Sequence, residues 1–194
     1  MATGKPTIFS TLEILHSLDY FSALVTSVEA IEDDPIEGAA ELQRVTESFD
    51  HVLFVGITCG VSAPFVGGQL EYCLDNLQKF TPVLIGFNPV SMARKIRVPK
   101  WPDNRTFYDV ATRMENTPEA LVLNPVVGPE PISGSSRMKG GTATKIILDM
   151  VFYLASTTND RKASEVVQEF KESVNRMETV RQDLAAVVKQ AGEW

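Results

Sequence analysis

His51-Val52-Leu53-Phe54-Val55-Gly56-Ile57-Thr58 runs apolar without polar alternation, and Cys59-Gly60-Val61-Ser62-Ala63-Pro64 closes it with a turn. A short apolar run ending in a Gly-containing turn fits a strand buried on both faces of a parallel sheet. Downstream the pattern turns helical over about 64–78, with Phe65, Leu70, Cys73 and Leu77 inward. A second buried strand, Pro82-Val83-Leu84-Ile85-Gly86-Phe87, stops at Asn88-Pro89. The polar segment 91–118 holds a helix at 106–115, and a third strand, Ala120-Leu121-Val122-Leu123, stops at Asn124-Pro125. Upstream, Glu32-Asp33-Asp34-Pro35 leads into a helix at about 37–47 that places Ala39, Leu42 and Val45 on one face. Strands alternating with helices define the α/β class, here an open parallel three-layer sheet.

The remainder reads as a long helical segment. Residues 138–157 carry Ile146, Ile147, Met150, Val151 and Leu154. A second helix over about 163–190 spaces Val167, Phe170, Val174 and Met177 at 3, 4 and 3, and Val180, Leu184 and Val187 continue the stripe. A stripe of that length is a packing surface, for a core or for a partner.

The chain has 194 residues, 44% of them hydrophobic, which suits a packed globular protein. Its 18 Lys and Arg against 25 Asp and Glu leave a net charge of −7. So acidic a chain gains little from counterion release, which argues against general nucleic-acid binding. An anion site has to come from local loops. Cys59 and Cys73 lack metal-ligand spacing and read as reduced thiols, and neither a signal peptide nor a membrane-length apolar run is present, so a cytoplasmic or nuclear location is expected. His16 and His51 have no nucleophile or metal pattern around them, and no cofactor is expected.

Open α/β sheets bind ligands at the carboxyl ends of their strands. The first loop there is Gly56–Ala63, where backbone N–H groups beside Thr58 and Ser62 suit phosphate or sugar oxygens; the same turn also fits plain helix capping. The second is Ser133-Gly134-Ser135-Ser136-Arg137-Met138-Lys139-Gly140-Gly141-Thr142, which offers hydroxyls and two cations. Lys139 stands at a helix start, where the dipole repels it, and a bound anion or a carboxylate would offset that cost. No Gly-Lys-Ser/Thr sequence exists, so ATP hydrolysis has no support. The third is Glu29-Ala30-Ile31-Glu32-Asp33-Asp34, either a solvated charge run or a source of a carboxylate for a sugar hydroxyl or for acid/base work.

The string Ile132-Ser133-Gly134-Ser135-Ser136-Arg137-Met138-Lys139-Gly140-Gly141-Thr142-Ala143-Thr144-Lys145 resembles the sugar isomerase (SIS) domain family. Within it, the chain resembles the branch that holds N-acetylmuramic acid 6-phosphate etherase and glucokinase regulatory protein. Gly56–Phe65, Gly86–Arg94 and Asn124–Glu130 look like the regulator more than the etherase. The resemblance implies a fructose phosphate ligand, fructose 6-phosphate or fructose 1-phosphate, and modulation of a glucokinase or hexokinase by protein contact, with no bond chemistry. Thr58, Cys59 and Gly60 match the sugar-phosphate loop, Ser135 and Ser136 match the serine loop near the phosphate, and Glu32 matches a sugar-binding carboxylate; Ser62 and Lys139 join them as candidates from the loop chemistry alone. The alternatives are an etherase-type carbon–oxygen lyase with Glu32 as acid/base, and a remnant that binds neither ligand.

Two departures stand out. The etherase pattern Ala-Ser-Gly-Arg-Thr-Pro is replaced by Cys59-Gly60-Val61-Ser62-Ala63-Pro64, and the family's opening strand with a Gly-Thr-Ser loop has no match. The expected organisation is an atypical segment at 1–19, a partial SIS domain at 20–160, and a C-terminal helix at 161–194 that packs on a missing second lobe or on another copy of the chain.

Overall fold

The computed structural model describes residues 8–10, 33–132, 137–156 and 162–191. At its centre, β2 (Val52–Ile57) pairs with β3 (Phe80–Ile85), and β3 pairs with β4 (Leu121–Leu123). A strand β1 (Ile8–Ser10) lies on the far side of β2. All four strands are parallel, in the order β1-β2-β3-β4. The open α/β sheet of the sequence reading is therefore present. Strand β1 had no sequence signal, because three residues are too few to show a period.

The strand bounds differ from expectation for local reasons. β3 begins at Phe80, whose N–H donates to the Asn76 carbonyl at 3.0 Å and which pairs with Val52. It ends at Ile85 because Gly86 and Phe87 send their N–H groups to Leu123 and Cys59 instead. β2 buries Val52 and Phe54 fully while Leu53, Val55 and Ile57 are only half-buried, so its two faces are unequal.

Helix α1 (Pro35–Thr46) starts on the cap of Asp34, and α2 (Pro64–Asp75) stops where the Asn76 amide donates to the Tyr72 carbonyl at 2.8 Å. The two helices meet at backbone distance. A Cβ on Gly38 would stand 2.2 Å from the Phe65 carbonyl oxygen, and one on Gly68 would stand 1.8 Å from that of Pro35. No side chain fits at either place. Helix α3 (Phe107–Glu115) is entered through a capping box between Thr106 and Asp109 and buries Phe107, Val110 and Met114 in the core with Leu42, Phe54, Leu70 and Phe80.

The remaining helices are α4 (Met138–Ser156), α5 (Ala163–Thr179) and α6 (Arg181–Ala191). By contacts the chain divides into two compact units, Met1–Thr142 and Ala143–Trp194, with the boundary inside α4. The single helix expected over 163–190 is two helices. At Val180 the N–H donates three residues back, to Met177, before Leu184 restarts the ladder on the Val180 carbonyl. The β-branched dipeptide Thr179-Val180 is a weak point in helix propensity. The anticipated stripe lies exposed at Val167, Phe170, Val174, Met177, Val180, Leu184 and Val187, whereas neighbouring Val166 is buried.

The helix crossing makes a direct prediction. Gly68→Ala should cost about 2–3 kcal/mol by overpacking, read as a lower urea midpoint. Gly141→Ala in α4, where a Cβ meets nothing within 4 Å, should stabilise by up to about 1 kcal/mol. Equal effects would show that the α1–α2 approach is not tight.

Candidate functional site

Strands β2, β3 and β4 end level with one another, since Ile57 pairs with Ile85 and Ile85 with Leu123. The loops that follow therefore leave the sheet side by side. They are stitched across its edge: Thr58 N–H to the Ile85 carbonyl at 2.9 Å, Gly86 N–H to Leu123 at 3.0 Å, and Phe87 N–H to Cys59 at 3.0 Å. The Asn88 side-chain amide donates to the Gly60 carbonyl at 3.3 Å.

Thr58 is buried, and its hydroxyl oxygen accepts from the N–H groups of Ser62 at 3.2 Å and Ala63 at 3.3 Å. The Val61 N–H closes on the Thr58 carbonyl at 3.0 Å. Of the two uses open to these N–H groups, a ligand or the turn itself, the hydrogen bonds they make are those of the turn. The physical reason lies at α2, whose N-cap residue Ala63 has no side-chain acceptor, so Thr58 supplies one from five residues back. Val61 pays for this geometry in backbone strain. It is a buried β-branched residue at φ +53, a region that costs about 1–3 kcal/mol.

The start of α4 is capped from a distance. The Glu130 carboxylate accepts from the N–H of Lys139 at 2.8 Å and of Gly140 at 2.9 Å. Those two backbone hydrogen bonds, first Gly140 and then Lys139, hold its carboxyl below the usual carboxylate range, and the Arg137 and Lys139 charges act in the same direction. The Lys139 ammonium turns back to the Pro129 carbonyl at 3.2 Å. Of the two partners that could offset Lys139 at the helix start, the chain uses its own carboxylate. Gly140 permits the contact with the first loop, because a Cβ there would stand 2.9 Å from the Cys59 Sγ.

Between these loops lies an open cleft of about 210 Å³, lined among others by Cys59, Gly60, Phe87, Asn88, Glu130 and Arg137. Of the expected site residues, Cys59 and Gly60 line it, while Thr58, Ser62 and Lys139 do not. Glu32, Ser135 and Ser136 lie outside the described residues. Asn88 and Glu130 were not anticipated. The only trace of Glu130 in the sequence is a carboxylate ahead of the basic stretch, nine residues from the N–H it caps, too far for a local capping motif.

In the acidic cluster, Asp34 is structural. One oxygen accepts from Ile36 and Glu37 N–H at 3.0 and 3.2 Å, and the other meets the Lys100 ammonium at 2.5 Å. The Lys100 hydrogen bond is the main reason its carboxyl lies below the usual range. Burial pushes the Cys73 thiol up and keeps it protonated. Among the described residues, no three His, Cys, Asp or Glu gather as a metal site.

Because its pKa is lowered on folding, Glu130 stabilises the fold above the ordinary value of 4.5, and this is lost as pH falls through the lowered value. Glu130→Gln should lower Tm at neutral pH, and the gap to wild type should close in acid. A gap that is the same at every pH would remove the charge from the explanation.

The model of the glucokinase regulatory protein N-terminal SIS domain family matches residues 21–74. Glucokinase regulatory protein from Xenopus laevis is 51% identical over 136 residues, covering 69% of this chain and 22% of that protein. The Mus musculus protein is 43% identical over 180 residues, covering 88% of this chain and 29% of that one. N-acetylmuramic acid 6-phosphate etherase from Mesorhizobium japonicum is 36% identical over 129 residues, covering 66% and 34% respectively. The chain thus spans 22% to 34% of the length of these relatives.

Proposed function

We propose that this chain, which belongs to the SIS domain family on the branch of glucokinase regulatory protein and the N-acetylmuramic acid 6-phosphate etherases, binds a fructose phosphate at its strand ends and modulates a sugar kinase such as glucokinase by protein contact. The observation that carries this reading is the difference in identity. The regulators match at 43% to 51% and the etherases at 32% to 36%. The first loop supports it, since Cys59-Gly60-Val61-Ser62-Ala63-Pro64 lacks the Ser and Arg of the etherase pattern. The proposed place of action is the cytoplasm or nucleus.

In this reading the sugar lies in the cleft against Cys59 and Gly60, with Asn88 beside it and Glu32 as the carboxylate for a ring hydroxyl. Thr58 and Ser62 act indirectly, by shaping the loop. Glu130 already fills the α4 N-terminus, so the helix dipole is committed within the chain. The phosphate then falls to the hydroxyls of Ser135 and Ser136 and to Arg137, with Lys139 adding a more distant positive charge.

The test is thermal denaturation with fructose 6-phosphate, fructose 1-phosphate and unphosphorylated fructose. A ligand at a hundred times its Kd stabilises by about 2.7 kcal/mol. Arg137→Ala should reduce the shift with the phosphates and leave any shift with fructose unchanged. Glucokinase turnover with and without the chain then tests modulation. Absence of any shift at millimolar ligand overturns sugar-phosphate binding. Lactate release from N-acetylmuramic acid 6-phosphate, abolished in Glu32→Gln, would replace the regulator with the lyase.

A further inference from the structure

The connection from β3 to α3 reverses the charge of the chain. Between Arg94 and Arg105 it carries Arg94, Lys95, Arg97, Lys100 and Arg105 against one acid, Asp103, a local charge of +4 in a chain of −7. Two of the five cations are ion-paired with carboxylates of the same unit, and a third lines a cleft with two more. Lys100 pairs with Asp34, Arg105 pairs with Glu71 at 2.9 Å, and Arg94 shares a cleft with Asp33 and Asp34. Lys95 and Arg97 make no ion pair with any described residue.

The backbone around them is held firmly. Val90, Ala93, Val98 and Trp101 are buried as anchors on either side. The Arg94 N–H donates to the Val61 carbonyl, and the Arg94 carbonyl accepts from Tyr108 N–H, both at 3.1 Å. Lys100 takes φ +70, a strained value for a long side chain. The Lys95 ammonium stands 4.5 Å from the centre of the Tyr108 ring. Two apolar side chains accompany the two cations into solvent, Met92 at 67% and Ile96 at 65% exposure.

We propose that Met92, Lys95, Ile96 and Arg97 form a docking surface for an acidic segment of a partner protein that brings an apolar residue to Ile96. A merely solvated charge run has no use for Ile96 exposed between Lys95 and Arg97, with Met92 exposed three residues ahead of Lys95, and Arg, Met and exposed apolar side chains are what protein interfaces gather. Charge complementarity sets the sign of the partner. The two exposed cations without an ion pair to any described residue, Lys95 over its Tyr108 ring and Arg97, release too few counterions for a nucleic acid, and membrane recognition takes a cluster of four to eight basic residues. The rigid backbone lowers the ordering cost of association.

The test uses the full chain and a fluorescent peptide of alternating Glu and Leu, followed by anisotropy. The wild-type chain should bind it, more weakly at higher salt. Lys95→Glu/Arg97→Glu should raise Kd by about tenfold or more, and Ile96→Ser by about threefold, with unchanged circular dichroism. Lys162→Glu, an exposed single reversal elsewhere, should bind as wild type does. The proposal is overturned by absence of peptide binding, by undiminished binding in the double variant, or by an equal loss in Lys162→Glu. It is also overturned if phosphatidylserine vesicles or duplex DNA bind more tightly than the peptide and lose binding in the double variant.

Discussion

Three parallel strands that stop at the same level impose the geometry on which the rest of the first unit depends. At Ile57, Ile85 and Leu123 the ladder ends, yet the next N–H groups still reach across, Thr58 to Ile85 and Gly86 to Leu123. That stitch turns three loop starts into one rigid rim. From there the loops carry little freedom of their own. Phe87 is tied to Cys59, Asn88 to Gly60 and Arg94 to Val61, so the cleft and the basic strap share a single support. The glycine-to-backbone crossing of α1 and α2 does the same for the acidic start of α1, which it places beside the β3–α3 connection, within reach of Lys100.

Electrostatics in this unit is handled locally. A chain of −7 would repel an anion at a distance, but its backbone donors and side chains are paired at short range. Glu130 caps α4, Thr58 caps α2 and Asp34 caps α1 while accepting from Lys100. Each cap takes donors that a loop-by-loop reading would leave free for a ligand. What stays outward is correspondingly informative: Arg137 at the cleft, and Lys95 and Arg97 on the strap.

Much of the architecture was legible along the chain. Apolar runs closed by Gly or Asn-Pro turns marked β2, β3 and β4, and the 3.6-residue spacing marked the helices between them. The misses follow from what a period cannot carry. β1 is three residues long, and its pairing with β2 is a long-range fact. The break at Val180 rests on one carbonyl being reached three residues back, which the apolar stripe continues straight through. At the site, residue chemistry singled out the loop from Thr58 to Ser62, with a ligand site and plain capping both open; Cys59 and Gly60 line the cleft, while the Thr58 hydroxyl turns in to accept from the Ser62 and Ala63 N–H groups. Residue chemistry missed Glu130 and Asn88, whose partners lie 9 and 28 residues away in the chain.

Alternation of apolar runs and helical spacing dictated the α/β class and the strand-end location of the loops, because those features live in residue order and local preference, while the resemblance to the SIS domain family lay in motif strings such as Ile132–Lys145. Which polar atoms are consumed within the fold was decided only in three dimensions. A backbone N–H takes the nearest well-aligned acceptor, and the packing of strands and helices determines which acceptor that is. Thus at Lys139, where the sequence left a bound anion or a carboxylate equally open, the Pro129-Glu130 turn beside α4 brings a carboxylate of the same chain to its N–H.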